Sequence, residues 1–198
     1  MAWTLHLQPI RNTRSDDALL TLGRALYISN AFEEKCRGLL RLVNLHEAIE
    51  GDPVMGLANA LAQAPKDMML GPTLKRLGEL QPLVREQDEV LVGAREARNF
   101  IAHEGGLFDI HIDSIKYMSE RLELLRSEVR KLTAGDNIMS AWIFQITEWK
   151  ESTPRLLIEA YEDAVDRWVF DPVWNLLSHS AGDQESVPRD GQVRDPEF

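Results

Sequence analysis

Residues 95–105 of the chain read REARNFIAHEG, a stretch that combines helical spacing with an arginine and a histidine near a pair of glycines. Its apolar residues continue a helical period that begins after Pro82 and recurs at Leu91, Ala94, Ala97 and Ile101. Two glycines follow at positions 105 and 106, where glycine is typical of a helix end. The stretch therefore predicts an amphipathic helix over residues 82–102, with Arg98 and His103 near its end.

Helical periodicity also precedes this helix. Ser15 is a typical N-cap residue, and the two aspartates after it are typical of a first helical turn. Apolar residues then recur at helical spacing, which predicts a long helix over residues 16–48. Two shorter helices are predicted at 53–61 and 73–80, between loops that contain proline and glycine.

A long amphipathic helix is predicted to follow from residue 112 to 132. Gly135 and Asp136 are expected to interrupt or kink this rod, after which helical spacing resumes. Thr153 and Pro154 are typical of the start of a last helix, which continues to Trp168. Only residues 109–113 alternate as a strand would, so the sequence predicts an all-α fold.

The domain organisation follows from these elements. We expect an irregular N-terminal arm at 1–14 and a helical bundle at 15–135. A C-terminal helical extension at 136–178 is expected to pack on the bundle or on a dimer partner, because it concentrates large apolar groups: Trp142, Phe144, Trp149, Trp168, Phe170 and Trp174. Residues 179–198 are polar and acidic, and we expect them to be disordered.

Composition excludes several classes of protein. The 198 residues are 44% hydrophobic, which suffices for a core, but no apolar run is long enough to span a membrane. The single cysteine, Cys36, cannot form an internal disulfide, and with no secretory signal this indicates a cytoplasmic protein. The net charge of −10 disfavours binding to nucleic acid by general electrostatics, so any contact with RNA must be local.

Arg98 and His103 are the main candidates for chemistry. An imidazole titrates near neutral pH and can donate or accept protons. Asn99 lies four residues before His103, on the same helical face, whereas Arg98 lies about 140° around the helix from it. Ribonuclease chemistry without a metal needs a base, an acid and a cation at the phosphate, and one chain supplies half of that set. This chemistry therefore predicts a homodimer with a shared site.

The phrase Arg98-Asn99-Phe100-Ile101-Ala102-His103, placed at a helix end between long helices, resembles the signature of the HEPN family (higher-eukaryote and prokaryote nucleotide-binding domains). The resemblance implies a HEPN helical bundle in which Arg98 and His103 are the catalytic pair and Asn99 supports them. HEPN proteins include metal-independent endoribonucleases of toxin–antitoxin and defence systems, and also non-catalytic members. The resemblance therefore implies RNA as substrate, a protein antitoxin or regulator as partner, and no cofactor.

Three further residues are candidates for a supporting role. Glu33 and Glu34 lie on the first long helix, where an acid could orient Arg98 or His103, or could simply belong to a solvated face. Arg95 is the first residue of the longer stretch 95–105, which contains the motif. The alternative interpretation is structural: Arg98 pairs with Glu33 or Glu34, His103 caps its helix, and the protein is an antitoxin-like, scaffolding or nucleotide-sensing module. The acidic composition favours this alternative.

The sequence does not predict a metal site, although residues 109–113 contain three possible ligands. Asp109, His111 and Asp113 alternate and could share one face of a strand. The apolar residues between them favour a helix entry instead, with one of the aspartates as N-cap. His46 is expected to be a surface residue near the end of the first helix.

Overall fold

The computed structural model describes residues 12–51, 56–63, 69–80, 84–104, 115–148 and 155–177. Within these ranges the chain is helical and contains no strand, so the predicted all-α class is confirmed. The helices in chain order are α1 Thr13–Gly51, α2 Gly56–Gln63, α3 Leu70–Leu80, α4 Arg85–His103, α5 Ile115–Glu148 and α6 Arg155–Phe170. A 3₁₀ turn, Asp171–Val173, follows α6. Several segments lie outside the described ranges: residues 109–113, where a metal site was not expected, most of the N-terminal arm, Trp149 and the acidic tail.

The first helix starts earlier than predicted. Asn12, not Ser15, precedes its first turn: the Asn12 Oδ1 accepts a hydrogen bond from the Ser15 backbone N–H at 3.0 Å. The Ser15 hydroxyl in return accepts one from the Asn12 N–H, also at 3.0 Å. This reciprocal pair satisfies two amides that a helix start leaves without partners, as a capping box does. Thr13 and Arg14 therefore belong to α1, whereas the sequence predicts them in the N-terminal arm.

The centre of the bundle is α1, which packs against each of the other helices and against the 3₁₀ turn. Its buried stripe is made of small residues in the first half and large ones in the second: Ser15, Ala18, Thr21, Ala25, Ser29, Phe32, Cys36, Leu39 and Leu40. Small side chains let a neighbouring helix approach closely, whereas the larger ones fill the space between more distant helices. The core of the bundle continues along α5 through Leu122, Leu125, Val129, Leu132 and Met139.

Of the two alternatives predicted at Gly135 and Asp136, an interruption or a kink, the interruption is wrong, because α5 runs through both residues as one helix. A Cβ built at Gly135 would lie 2.3 Å from the Cβ of Ala94, so α4 and α5 cross closely at this point. The glycine thus serves a helix crossing and does not end a helix. The expected boundary between bundle and extension, at residues 135 and 136, consequently falls inside α5.

The aromatic residues of the C-terminal third divide between core and surface. Trp142 and Phe170 are buried, Phe144 is half-buried, and Trp168 and Trp174 are exposed. Trp168 is in edge contact with the ring of Tyr27, with ring centroids 5.9 Å apart. Its backbone carbonyl accepts a hydrogen bond from Arg24 at 2.6 Å. These contacts attach α6 to α1.

Cys36 is the chain's one cysteine and is buried in the α1 stripe. Burial raises the pKa of its thiol, with the charge of Asp136 adding to the effect. The thiol therefore stays protonated at neutral pH, and the thiolate is the reactive form. We expect native protein to react with a thiol reagent at pH 8 far more slowly than protein unfolded in 6 M guanidinium. The unfolded protein should show one reactive thiol per chain. Equal rates in the two conditions would contradict this burial.

Candidate functional site

Arg98 is held against α1 by an ion pair. Its Nη2 donates to the Oε2 of Glu33, a residue of α1 that is 7% exposed. The Arg98 side chain retains 21% of its accessible surface. Its Nε is buried and has no hydrogen-bond partner among the described residues. The ion pair predicted between Arg98 and one of two acids thus forms with Glu33, and it fixes one edge of the guanidinium.

Glu33 is shared by two arginines. Its Oε1 accepts a hydrogen bond from Arg37 Nη2 at 2.6 Å, while Oε2 accepts one from Arg98. Arg37 also donates to the exposed Glu34, which is thereby occupied on α1. A carboxylate that accepts from two guanidinium groups is well compensated for its burial. Arg37 was not predicted for the site, although its spacings of three and four residues from Glu34 and Glu33 are those of helical ion pairs.

Asn99 links Arg98 to the end of α4. The Asn99 Oδ1 accepts a hydrogen bond from Arg98 Nη1 at 3.3 Å. Because α4 remains helical to His103, Asn99 and His103 lie one turn apart on one face, and both are exposed. The helix end closes with a hydrogen bond from the Glu104 backbone N–H to the Phe100 carbonyl at 2.8 Å. The imidazole therefore projects from the last residue of the helix into solvent.

Arg95 lies away from Glu33, on the side of α4 that faces α3. Its Cδ is 4.0 Å from the position that a Cβ at Gly71 of α3 would occupy. Here α3 and α4 border a groove of about 780 Å³, and Arg95 and Lys75 are its cations nearest Gly71. Of the predicted candidates, Arg98, Asn99 and Glu33 are joined by hydrogen bonds, and Arg95 belongs to the neighbouring groove. His103 lies exposed one turn after Asn99, and Glu34 is paired with Arg37. Lys75 carried no signal in the sequence, because its importance comes only from the packing of α3 on α4.

The arrangement can hold an anion and transfer a proton. The Arg98 guanidinium supplies a fixed positive group, Asn99 an amide, and His103 an exposed proton donor or acceptor. In the described ranges, no group of three or more His, Cys, Asp or Glu side chains is placed to hold a metal ion. None of the helices described here is long and apolar enough to cross a bilayer.

Compared with protein-family models, with curated proteins and with solved structures, the chain matches none of them.

Proposed function

We propose that this protein is a metal-independent endoribonuclease of HEPN type, a toxin or defence effector that acts as a homodimer. The observation that best supports this proposal is that three polar side chains lie next to one another at one end of α4. Arg98 is hydrogen-bonded to Asn99, and Asn99 lies one turn before the exposed His103. A cation, an amide and a proton-transfer group are the residue types that cleavage of a phosphodiester requires.

Each group has a distinct task in this proposal. Arg98 neutralises charge that develops on the phosphoryl oxygens, and Glu33 keeps the guanidinium in place without occupying its whole donor edge. One His103 removes the proton of the ribose 2′-hydroxyl as it attacks phosphorus. The second His103, from the partner chain, protonates the leaving 5′-oxygen. The exposed position of His103 leaves it accessible to a second chain and to RNA.

A specific observation also favours a second candidate, a non-catalytic interaction module. The Arg98 charge is already paired with Glu33, and the chain is acidic overall at −10. A guanidinium paired in this way holds α4 against α1 whether or not RNA is ever bound. In that case the protein would act by binding a protein partner, such as an antitoxin or regulator.

Cleavage of RNA by purified variants separates the two functions. In the presence of EDTA, we expect wild-type protein to cleave single-stranded RNA to products with 2′,3′-cyclic phosphate ends. His103→Ala should lower the rate by at least about 100-fold, since it removes the proton-transfer group. Its effect on stability should be small because the side chain is exposed. Arg98→Lys should also be strongly impaired, because an ammonium does not reproduce the planar fork of a guanidinium.

Matched variants complete the test. His46→Ala removes an exposed histidine of α1 and Arg130→Ala an exposed arginine of α5, and both should cleave as the wild type does. Analytical ultracentrifugation should give twice the chain mass of 22.5 kDa. If His103→Ala and Arg98→Lys cleave at the wild-type rate, the ribonuclease proposal is wrong. Absence of cleavage by the wild type, together with stable binding of a protein partner, would favour the module.

A further inference from the structure

The groove between α3 and α4 has an apolar floor. Leu74 of α3 and Leu91 and Val92 of α4 line it, together with two glycines of α3, Gly71 and Gly78. The glycines carry no side chains that would fill the space. Its volume of about 780 Å³ falls in the range of sites that bind small molecules or single residues of a polymer.

Positive charge is concentrated at one end of this groove. Lys75 and Arg95 have no ion-pair partner in the part of the chain that the structure describes. Lys75 lies one helical turn from Gly71, which is the neighbour of Arg95 across the groove. The groove's Glu79 is already paired with Arg76 at 3.1 Å. In a chain with a net charge of −10, two cations at one end of the groove, one on each helix, favour an anionic ligand.

The opposite end of the groove does not cancel this charge. Arg85 is paired there with Glu89 at 2.8 Å. Asp88 lines the same end and lies seven residues before Arg95, or about 10 Å along the helix axis. That separation exceeds the screening length of about 8 Å at physiological salt, so the attraction of Arg95 for an anion is largely preserved.

The cationic end also leads directly to the motif. Arg95, Asn99 and His103 are spaced by four residues on a helix that is continuous from Arg85 to His103. Residues with this spacing form one row along a helix surface. A ligand whose anionic group contacts Arg95 therefore lies next to Asn99, one turn before the imidazole.

We infer that this groove binds the nucleotides of single-stranded RNA beside the cleaved phosphate, an inference that rests on the proposed ribonuclease function. A phosphate contacts Arg95 and Lys75, and the base of the same nucleotide packs on the floor made by Leu74, Leu91 and Val92. The binding is local, which is how an acidic protein can hold RNA without a basic surface. Charge-assisted hydrogen bonds to phosphate supply the affinity, and the apolar floor admits unpaired bases but excludes a duplex.

Binding can be measured without cleavage. A fluorescein-labelled, 2′-O-methylated single-stranded RNA has no free 2′-hydroxyl and stays intact, so its anisotropy reports affinity alone. We expect Arg95→Ala and Lys75→Ala each to weaken binding roughly tenfold. Each should also reduce the slope of log affinity against log salt by about 0.7, the value for one phosphate contact on a single strand. Arg130→Ala, with the same loss of charge on α5, should leave affinity unchanged, and His103→Ala should still bind.

The outcomes separate this inference from the proposed function. The inference is overturned if wild-type protein does not bind the RNA, or if the groove variants bind it as well as Arg130→Ala does. It is also overturned if AMP binds tightly while the RNA does not. If binding depends on Arg95 and Lys75 but the protein never cleaves RNA, the groove binds RNA and the ribonuclease proposal is wrong. If cleavage depends on His103 but binding is the same in the groove variants, the ribonuclease proposal is supported and RNA binding in the groove is wrong.

Discussion

Replacing Asp136 with alanine should lower the free energy of unfolding by about 3 kcal/mol. The Asp136 residue is 3% exposed, and its Oδ2 accepts hydrogen bonds from Lys35 of α1 at 2.6 Å and from Tyr161 of α6 at 2.5 Å. The carboxylate thus joins three helices at one point. Its removal leaves the Lys35 ammonium with the Ser140 hydroxyl as acceptor, at 3.0 Å, and takes from the Tyr161 hydroxyl the carboxylate to which it donates. Losing acceptors is costly for polar groups in a half-buried position.

Thermal and urea unfolding, followed by circular dichroism, measure this loss. For a chain of this length, we expect the midpoint of thermal unfolding to fall by about 6–12 °C. Glu89→Ala is the matched control, since it also removes a carboxylate from an ion pair, but one whose Glu89 side chain is 64% exposed. That control should cost about 0.5 kcal/mol or less. Similar losses in the two variants would show that water replaces the Asp136 carboxylate.

Gly135→Ala should lower the free energy of unfolding by about 2 kcal/mol, although alanine is the better helix former. The new Cβ would lie 2.3 Å from the Cβ of Ala94, which is fully buried. Neither atom belongs to a flexible side chain, so α4 and α5 must move apart. Such a movement would also disturb Phe32, whose ring carbons lie 3.5 and 3.6 Å from the same position.

A double-mutant cycle tests the crossing directly. Ala94→Gly in the Gly135→Ala background removes the clash, so the double variant should recover at least about 1 kcal/mol relative to the sum of the single variants. Gly23→Ala is the matched control, because Gly23 is an exposed residue of α1 with nothing within 4 Å of a built Cβ. It should raise stability by about 0.5–1 kcal/mol. Stabilisation by Gly135→Ala would contradict the close crossing.

Local signals predicted the helices well. The predicted spans of 16–48 and 82–102 correspond to α1 at Thr13–Gly51 and α4 at Arg85–His103. Apolar residues at steps of three and four are a property of neighbouring residues, so periodicity finds them without knowledge of the fold. The ends were less accurate. Asn12 and Ser15 cap α1 as a pair, and either one is a good N-cap by residue type.

The sequence names residues for the candidate site but does not determine how they are arranged. The motif at 98–103 indicated Arg98, Asn99 and His103, and the spacing of Asn99 and His103 already placed them on one face. The sequence indicated two acids, Glu33 and Glu34, as possible partners of Arg98, and it was equally compatible with both lying on a solvated helix face. Only the way that α1 packs on α4 determines that Arg98 pairs with Glu33, which lies 65 residues away in the chain. Lys75 of the groove was not predicted, because a lysine on α3 gains significance only from the helix opposite.

The sequence by itself determined that this chain is all-α, where its long helices lie, and that Arg98 and His103 lie near the end of one of them. The tertiary structure alone decided what Gly135 and Asp136 do. Their residue types indicated an interruption, yet they lie inside α5, one allowing the contact with Ala94 and the other accepting a hydrogen bond from Lys35. The physical reason is that helix formation depends on residues within a few positions of each other. The faces that meet are chosen by packing between segments far apart in the chain, such as Ala94 with Gly135 and Lys35 with Asp136.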